Sequence, residues 1–255
     1  MGKASRRKRE RRGNAQARAS ALTLIPRARL PGGWRGTDFS GQVVYRFFKD
    51  AEHADAMASG KIWISTLETC RQYENPLQGD PEEATQKYNS GHAIGGSGDR
   101  DFKLIAARSG IHIGDGCSNI SISNCTSMHR VLDAYVLCTT SHFDPDKLGD
   151  VFGLHCVEVT HPHEFFRLMS LELAKLHKVR EAAYGSVIYS EREYKGLEDP
   201  PGPIGFVKPP DKYQDQREVR FLWTVDEVLR LQPFLLDVPN AATLCRRLSP
   251  QRHLP

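Results

Sequence analysis

Short apolar runs set apart by turn residues dominate the chain. Residues 43–48 (VVYRFF) are β-branched and aromatic, which suits a pleated, half-buried surface and predicts a strand. Asp50 stands where its side chain can accept hydrogen bonds from the free N–H groups of a first helical turn. Ala51, Ala54, Met57 and Ala58 give the following helix one small apolar face. Gly60 ends it in the left-handed conformation that residues with a Cβ resist. Residues 62–65 predict a second strand. Further strands are expected over 135–140 (YVLCTT), 154–159 (LHCVEV), 186–190 and 218–223 (EVRFLW).

The longest predicted helix covers 162–183. Pro162 suits its first position, and Phe165, Leu168, Met169, Leu173, Leu176 and Val179 recur at threes and fours. Thr224 with Glu227 reads as a capping box for a helix to Leu231, and a last helix is expected over 240–247. The alternating runs KLIAA, IHI and NISIS, broken by Gly110, Gly114 and Gly116, predict a small antiparallel meander over 103–123. Residues 84–102 are polar and glycine-rich and read as a flexible loop. Residues 200–210 (PPGPIGFVKPP) read as a rigid connection. No internal repeat is visible. Strands outnumber helices without strict alternation, so the expectation is α+β: a mixed, mainly antiparallel sheet with flanking helices, in one domain over 42–255.

Charge changes this picture at one end. The 255-residue chain carries +4 overall, yet residues 1–30 hold ten Lys or Arg against one acid, so the rest is mildly acidic. Residues 1–20 have too few large apolar side chains to offset chain entropy and read as a disordered tail, with 21–41 a Pro- and Gly-rich wrapping segment. Arg6, Arg7, Lys8, Arg9, Arg11 and Arg12 could neutralise phosphates of a nucleic acid by counterion release or meet an acidic protein; a merely solubilising tail is the other reading. Six cysteines in a chain this long, no secretory signal and no membrane-length apolar run point to a cytoplasmic protein with reduced thiols.

Candidate chemistry concentrates in two stretches. The first runs from Arg46 through Ser65-Thr66 to Arg71, Glu74, Asp80, Glu82 and Glu83; the second is Gln216-Arg217-Glu218. Each residue has a structural reading too. Arg46 would be a buried arginine paired with Glu74, Asp80 or Glu218; Arg71 and Glu74 an i,i+3 ion pair; Asp80 a turn former before Pro81; and 216–220 a solvated strand face. Cys117, Cys125 and His129 lack the close pair of a zinc site, so no metal is assigned.

A strand with a central Arg, a helix ending in Gly, a strand ending in Ser-Thr, and a late Gln-x-Glu opening a strand: this order resembles the ADP-ribosyltransferase superfamily. The resemblance implies NAD as cofactor, bound by Arg46, Ser65, Thr66 and Arg71. It implies Glu218 as the carboxylate that stabilises positive charge on the ribose as the nicotinamide bond breaks, Gln216 as the residue that orients the nucleophile, and Arg46 as a planar fork for pyrophosphate. Leu67 stands where a full Ser-Thr-Ser would have its last serine, and Thr139-Thr140-Ser141 is the alternative middle element. The run Arg46, Phe48, Gly60, Thr66, Leu67, Arg71, Glu74, Gly79, Asp80 and Glu82 is also similar to an uncharacterised bacterial family linked to abortive infection and phage. That implies a bacterial or phage setting and a part in defence. Two further readings stay open. One is a non-catalytic defence or antitoxin-type binding protein that uses its 65–83 charges and its tail. The other is a nuclease in which Glu74, Asp80, Glu82 and Glu83 converge on Mg²⁺.

Overall fold

A computed structural model describes residues 43–226 and 230–248. In chain order these form β1 (Val44–Phe48), α1 (Ala51–Ala58), β2 (Lys61–Thr66), α2 (Leu67–Gln72), β3 (Thr85–Asn89), β4 (His92–Gly95) and α3 (Arg100–Arg108). Then follow β5 (Ile120–Ser123), β6 (Thr126–Arg130), β7 (Tyr135–Thr140), α4 (Pro145–Phe152), β8 (His155–Val159) and α5 (Pro162–Leu176). The chain continues with β9 (Val179–Ser186), β10 (Ile188–Tyr189), β11 (Glu193–Lys195), β12 (Val207–Lys208), α6 (Pro210–Tyr213), β13 (Glu218–Val225), β14 (Phe234–Asp237) and β15 (Cys245–Leu248). The architecture is α+β, with a mainly antiparallel sheet as the composition of the strands leads one to expect. The described residues fall into two compact units. One holds 43–85, 131–192 and 200–248, and the other holds 86–130 and 193–199.

The larger unit is built on an eight-stranded sheet. Six strands run in the order β14-β2-β7-β1-β8-β15, and β13 pairs with β7 and with β9. Period-two alternation sends Tyr135 and Leu137 of β7, and Val219, Phe221 and Trp223 of β13, to one core. There they meet Phe165, Met169 and Leu173, the buried stripe of α5. Phe166 stacks on Trp223, whose indole N–H donates to Ser170 Oγ at 2.8 Å. The Ala54–Met57 face of α1 joins the same core. Asp50 does occupy the N-cap of α1, but its side chain makes no capping bond, while Gly60 takes φ 86° as its role requires.

In the smaller unit, β11, β3 and β6 form a three-stranded sheet, and β4 pairs antiparallel with β5. The Arg108 guanidinium lies over the Tyr88 and Tyr194 rings and donates to the Gly196 and Glu198 carbonyls.

Several expected elements are replaced. The stretch 84–102 carries β3, β4 and the start of α3 rather than a loop. Residues 103–107 are helical, because Asp99 caps α3 by accepting from the Asp101 and Phe102 N–H groups and Phe102, Ile105 and Ala106 bury at helical spacing. The long helix stops at Leu176, since Val179 onward pairs with the free edge of β13. Thr224 and Val225 continue β13 instead of capping a helix; residues 227–229 lie outside the described region. The closing helix is a 3₁₀ turn over Pro239–Leu244, followed by β15 on the edge of β8.

Candidate functional site

One edge of β7 is shared by two strands. Its start pairs with β2, through Ser65↔Val136 and Thr66↔Tyr135, and its end pairs with β1, through Tyr45↔Thr140. Its other edge pairs with β13 along its whole length. β1 and β2 therefore part from one another over the middle of β7. At this split lies a cavity of ≈ 390 Å³, within the range usual for small-molecule sites. Arg46 and Phe48 of β1, Ser65 of β2, Cys70 of α2, Cys138 of β7, Lys208, Gln216 and Glu218 all line it. The Arg46 guanidinium crosses the split, with Nη1 donating to the Trp63 carbonyl of β2 at 3.3 Å, and lies 5.4 Å from the centre of the Phe48 ring.

Beside the cavity sits a charge cluster that alternation on β13 dictates. With Val219, Phe221 and Trp223 turned to the core, Glu218 and Arg220 face the other way, and both are buried. Arg220 Nε donates to Glu218 Oε1 at 2.8 Å, and its Nη1 donates to Glu83 Oε1 and to the Gly205 carbonyl, each at 2.7 Å. Lys208 Nζ completes the set at 2.8 Å from Glu218 Oε2 and 3.5 Å from Glu83 Oε2. Lys208 is brought there by the parallel pairing of β10 with β12, which sets it opposite Tyr189; the Tyr189 hydroxyl in turn accepts from the Glu218 N–H at 2.7 Å. Two acids and two bases thus neutralise each other, as buried charges must. Burial alone would raise the Glu218 pKa, but Arg220 and Lys208 outweigh it and hold the carboxyl well below the usual range. Glu83 is lowered in the same way, and its two carboxylate partners outweigh burial to raise Lys208. Ala84 and Arg217, the neighbours of the two acids, both lie in the left-handed region at φ 54° and 42°, a strained conformation for side chains with a Cβ.

Arg46 has no such balance. Among the described residues no carboxylate lies within ion-pair distance of it, so Glu74, Asp80 and Glu218 are not its partners. Glu74 is exposed, Asp80 pairs with Arg192, and Glu218 is held by Arg220 and Lys208. Desolvation lowers the guanidinium pKa. Ser65 Oγ, buried at the same cavity, has no hydrogen-bond partner. A desolvated lone cation and an unsatisfied hydroxyl in one hollow suit a ligand that is anionic and accepts or donates hydrogen bonds.

The structure thus brings together Arg46, Ser65, Gln216 and Glu218. Gln216 Nε2 donates to the Leu77 carbonyl at 2.6 Å at the cavity wall. Two expected cofactor contacts are corrected. Thr66 is fully buried and caps α2, its hydroxyl accepting from the Thr69 N–H at 3.1 Å. Arg71 is turned away from the cavity lining: its Nε and Nη2 donate to the carbonyls of Glu83 and Val131, and Nη1 to Glu68, which takes the place expected of Glu74. Thr139 and Thr140, in the alternative middle element, do line the cavity, although Thr139 Oγ1 is bonded to the Val219 carbonyl. The 216–220 face is buried rather than solvated. Asp80 does form the turn, accepting from the Glu82 N–H at 3.1 Å.

The acids of the nuclease reading do not converge. Glu74 and Glu82 are exposed, Asp80 and Glu83 are each tied to an arginine, and no group of three potential metal-ligating side chains is present among the described residues. Arg6, Arg7, Lys8, Arg9, Arg11 and Arg12 lie outside the described residues. No helix among the described residues is long and apolar enough to cross a membrane.

Sequence reasoning missed Lys208 and Arg220 as parts of the site. Arg220 was detectable, since it follows Glu218 by two on a strand whose other face is wholly apolar. Lys208 was hidden inside a proline-rich connection. No protein-family model matches this chain, and no curated protein or solved structure matches it either.

Proposed function

We propose that the cavity binds NAD and that the protein transfers ADP-ribose from it to a macromolecular acceptor, nucleic acid or protein. The observation that carries this reading is that Arg46, Ser65, Gln216 and Glu218, far apart in sequence, line one cavity at the split of the sheet. The free guanidinium of Arg46 is available for a pyrophosphate. Glu218 is kept ionised and fixed, the state needed by a group that stabilises positive charge developing on a ribose. Gln216 stands at the wall, where it can orient an incoming acceptor. The basic stretch around Arg6–Arg12 is the candidate contact for an acidic acceptor.

A second reading has its own support. Both Glu218 oxygens are already bonded to cations, which weakens the field they can offer a reacting ribose and favours binding of a nucleotide without chemistry. Incubation with labelled NAD, alone and with protein, DNA and RNA acceptors, separates the two. Label transfer or nicotinamide release by the wild type, lost in Glu218→Gln and Arg46→Ala, supports the transferase. NAD binding without release supports the binder. Transfer that Glu218→Gln retains removes Glu218 from the mechanism.

A further inference from the structure

The cavity has a feature that the ligand argument does not use. Cys70, near the end of α2, and Cys138, on the stretch of β7 where β1 and β2 part, both line it. α2 is fixed against β7 at its start, where the Leu67 N–H donates to the Ala134 carbonyl at 2.9 Å. The alternation of β7 sends Cys138 to the face opposite Tyr135 and Leu137, hence toward α2. There the Cys138 thiol hydrogen-bonds to the Cys70 sulfur. Both are free thiols, partly accessible rather than sealed in the core. The cations of Arg220 and Lys208 stand close enough to favour a thiolate at Cys70.

We propose that Cys70 and Cys138 form a dithiol that hydroperoxides oxidise to a disulfide within the cavity. Cys70 is the attacking member. That assignment agrees with the hydrogen bond from Cys138, which lowers the Cys70 thiol pKa against the effect of burial, while Cys138 is raised. The Cys70 thiolate attacks the terminal oxygen of the hydroperoxide. The O–O bond breaks, the alcohol or water leaves with a proton, and Cys70 becomes a sulfenic acid. The Cys138 sulfur then attacks Cys70 Sγ. An S–S bond forms, the S–O bond breaks, and hydroxide leaves as water with the Cys138 proton. Two thiols and one hydroperoxide give one disulfide, one alcohol or water, and one water. The other cysteines lack this arrangement: burial pushes the Cys156 and Cys245 thiols up to about 12, and Cys117 is exposed with no second thiol beside it.

The proposal is independent of what the cavity binds, and so is its test. The full chain is treated with one equivalent of hydrogen peroxide, the remaining thiols are alkylated, and the protein is mapped by peptide mass spectrometry. The expected result is loss of two of the six thiols and a Cys70–Cys138 linked peptide, reversed by dithiothreitol. In Cys138→Ser, dimedone should label Cys70. The wild-type map stands by itself should that variant fail to fold. Oxidation that falls first on Cys117 or any other cysteine, or a Cys70 and Cys138 that both stay alkylatable, overturns the proposal.

Discussion

Removing one charge from the four-membered cluster should cost far more than removing two of opposite sign. Glu218→Gln leaves Lys208 and Arg220 facing Glu83 alone, a buried net charge of one. Lys208→Met leaves Glu83 and Glu218 facing Arg220 alone, a buried net charge of the opposite sign. Breaking a buried pair in this way costs roughly 3–5 kcal/mol, because the widowed charge stays desolvated. For a chain of this size that corresponds to a fall in melting temperature of about 6–20 °C. The double variant keeps Glu83 with Arg220, whose Nη1 and Nη2 still donate at 2.7 and 3.2 Å, and is neutral again. It should be more stable than the sum of the single effects predicts, with a coupling energy of about 1–3 kcal/mol. Urea denaturation read by tryptophan emission suits the measurement, since Trp223 lies fully buried on the same strand as Glu218 and Arg220. Additive effects, or single variants that each lose less than about 1 kcal/mol, would refute the account of the cluster as a mutually neutralising unit. The cycle also serves the enzymology, for it separates activity lost through instability from activity lost with the carboxylate.

Arg46→Ala should weaken the binding of NAD, or of pyrophosphate as a minimal probe, by about 10–150-fold, the worth of one charge-assisted hydrogen bond; calorimetric titration reads this. The same variant should melt no lower than the wild type, because a desolvated cation without a carboxylate contributes nothing favourable to the fold. Glu83 and Glu218 have folded pKa values below the ordinary 4.5, so their stabilisation is whole above pH 4.5 and drains away as pH falls below it; urea midpoints from pH 6 to pH 3 should drop steeply in the wild type and less so in the double variant. Thr66→Val should cost about 1 kcal/mol through loss of the α2 cap and leave ligand affinity unchanged, in contrast to Ser65→Ala, which should lower it.

What could be read in the sequence was local. β1, β2, β7, β8 and β13 declared themselves by β-branched and aromatic residues at period two, and α1 by its small apolar face ended by Gly60. What could not be read was set by pairing at a distance. β9 takes over the end of an apparently continuous helical pattern because β13 needs an edge partner. Residues 103–107 look like a strand until Asp99 is seen to cap them. At the site, Arg46, Ser65, Gln216 and Glu218 carried types and order that placed them together. Arg71 and Thr66 misled because the same donors and hydroxyls serve equally well to fix backbone carbonyls and cap helices. Lys208 was illegible because nothing in PPGPIGFVKPP reveals that a two-residue parallel pairing will set its ammonium between two glutamates.

The shared edge of β7 also has a bearing on biosynthesis. The walls of the cavity come from four well-separated stretches of chain: the first strand, the second with its helix, the central one, and residues 208–218. A ribosome that adds roughly 5–20 residues per second delivers β13 about 10–30 s after β1. Until then the nascent chain has no hollow, and Glu83 has neither Lys208 nor Arg220 to offset its charge. Any activity the pocket supports therefore starts only when translation of this region is nearly done, so a harmful catalyst would stay inert throughout its own synthesis.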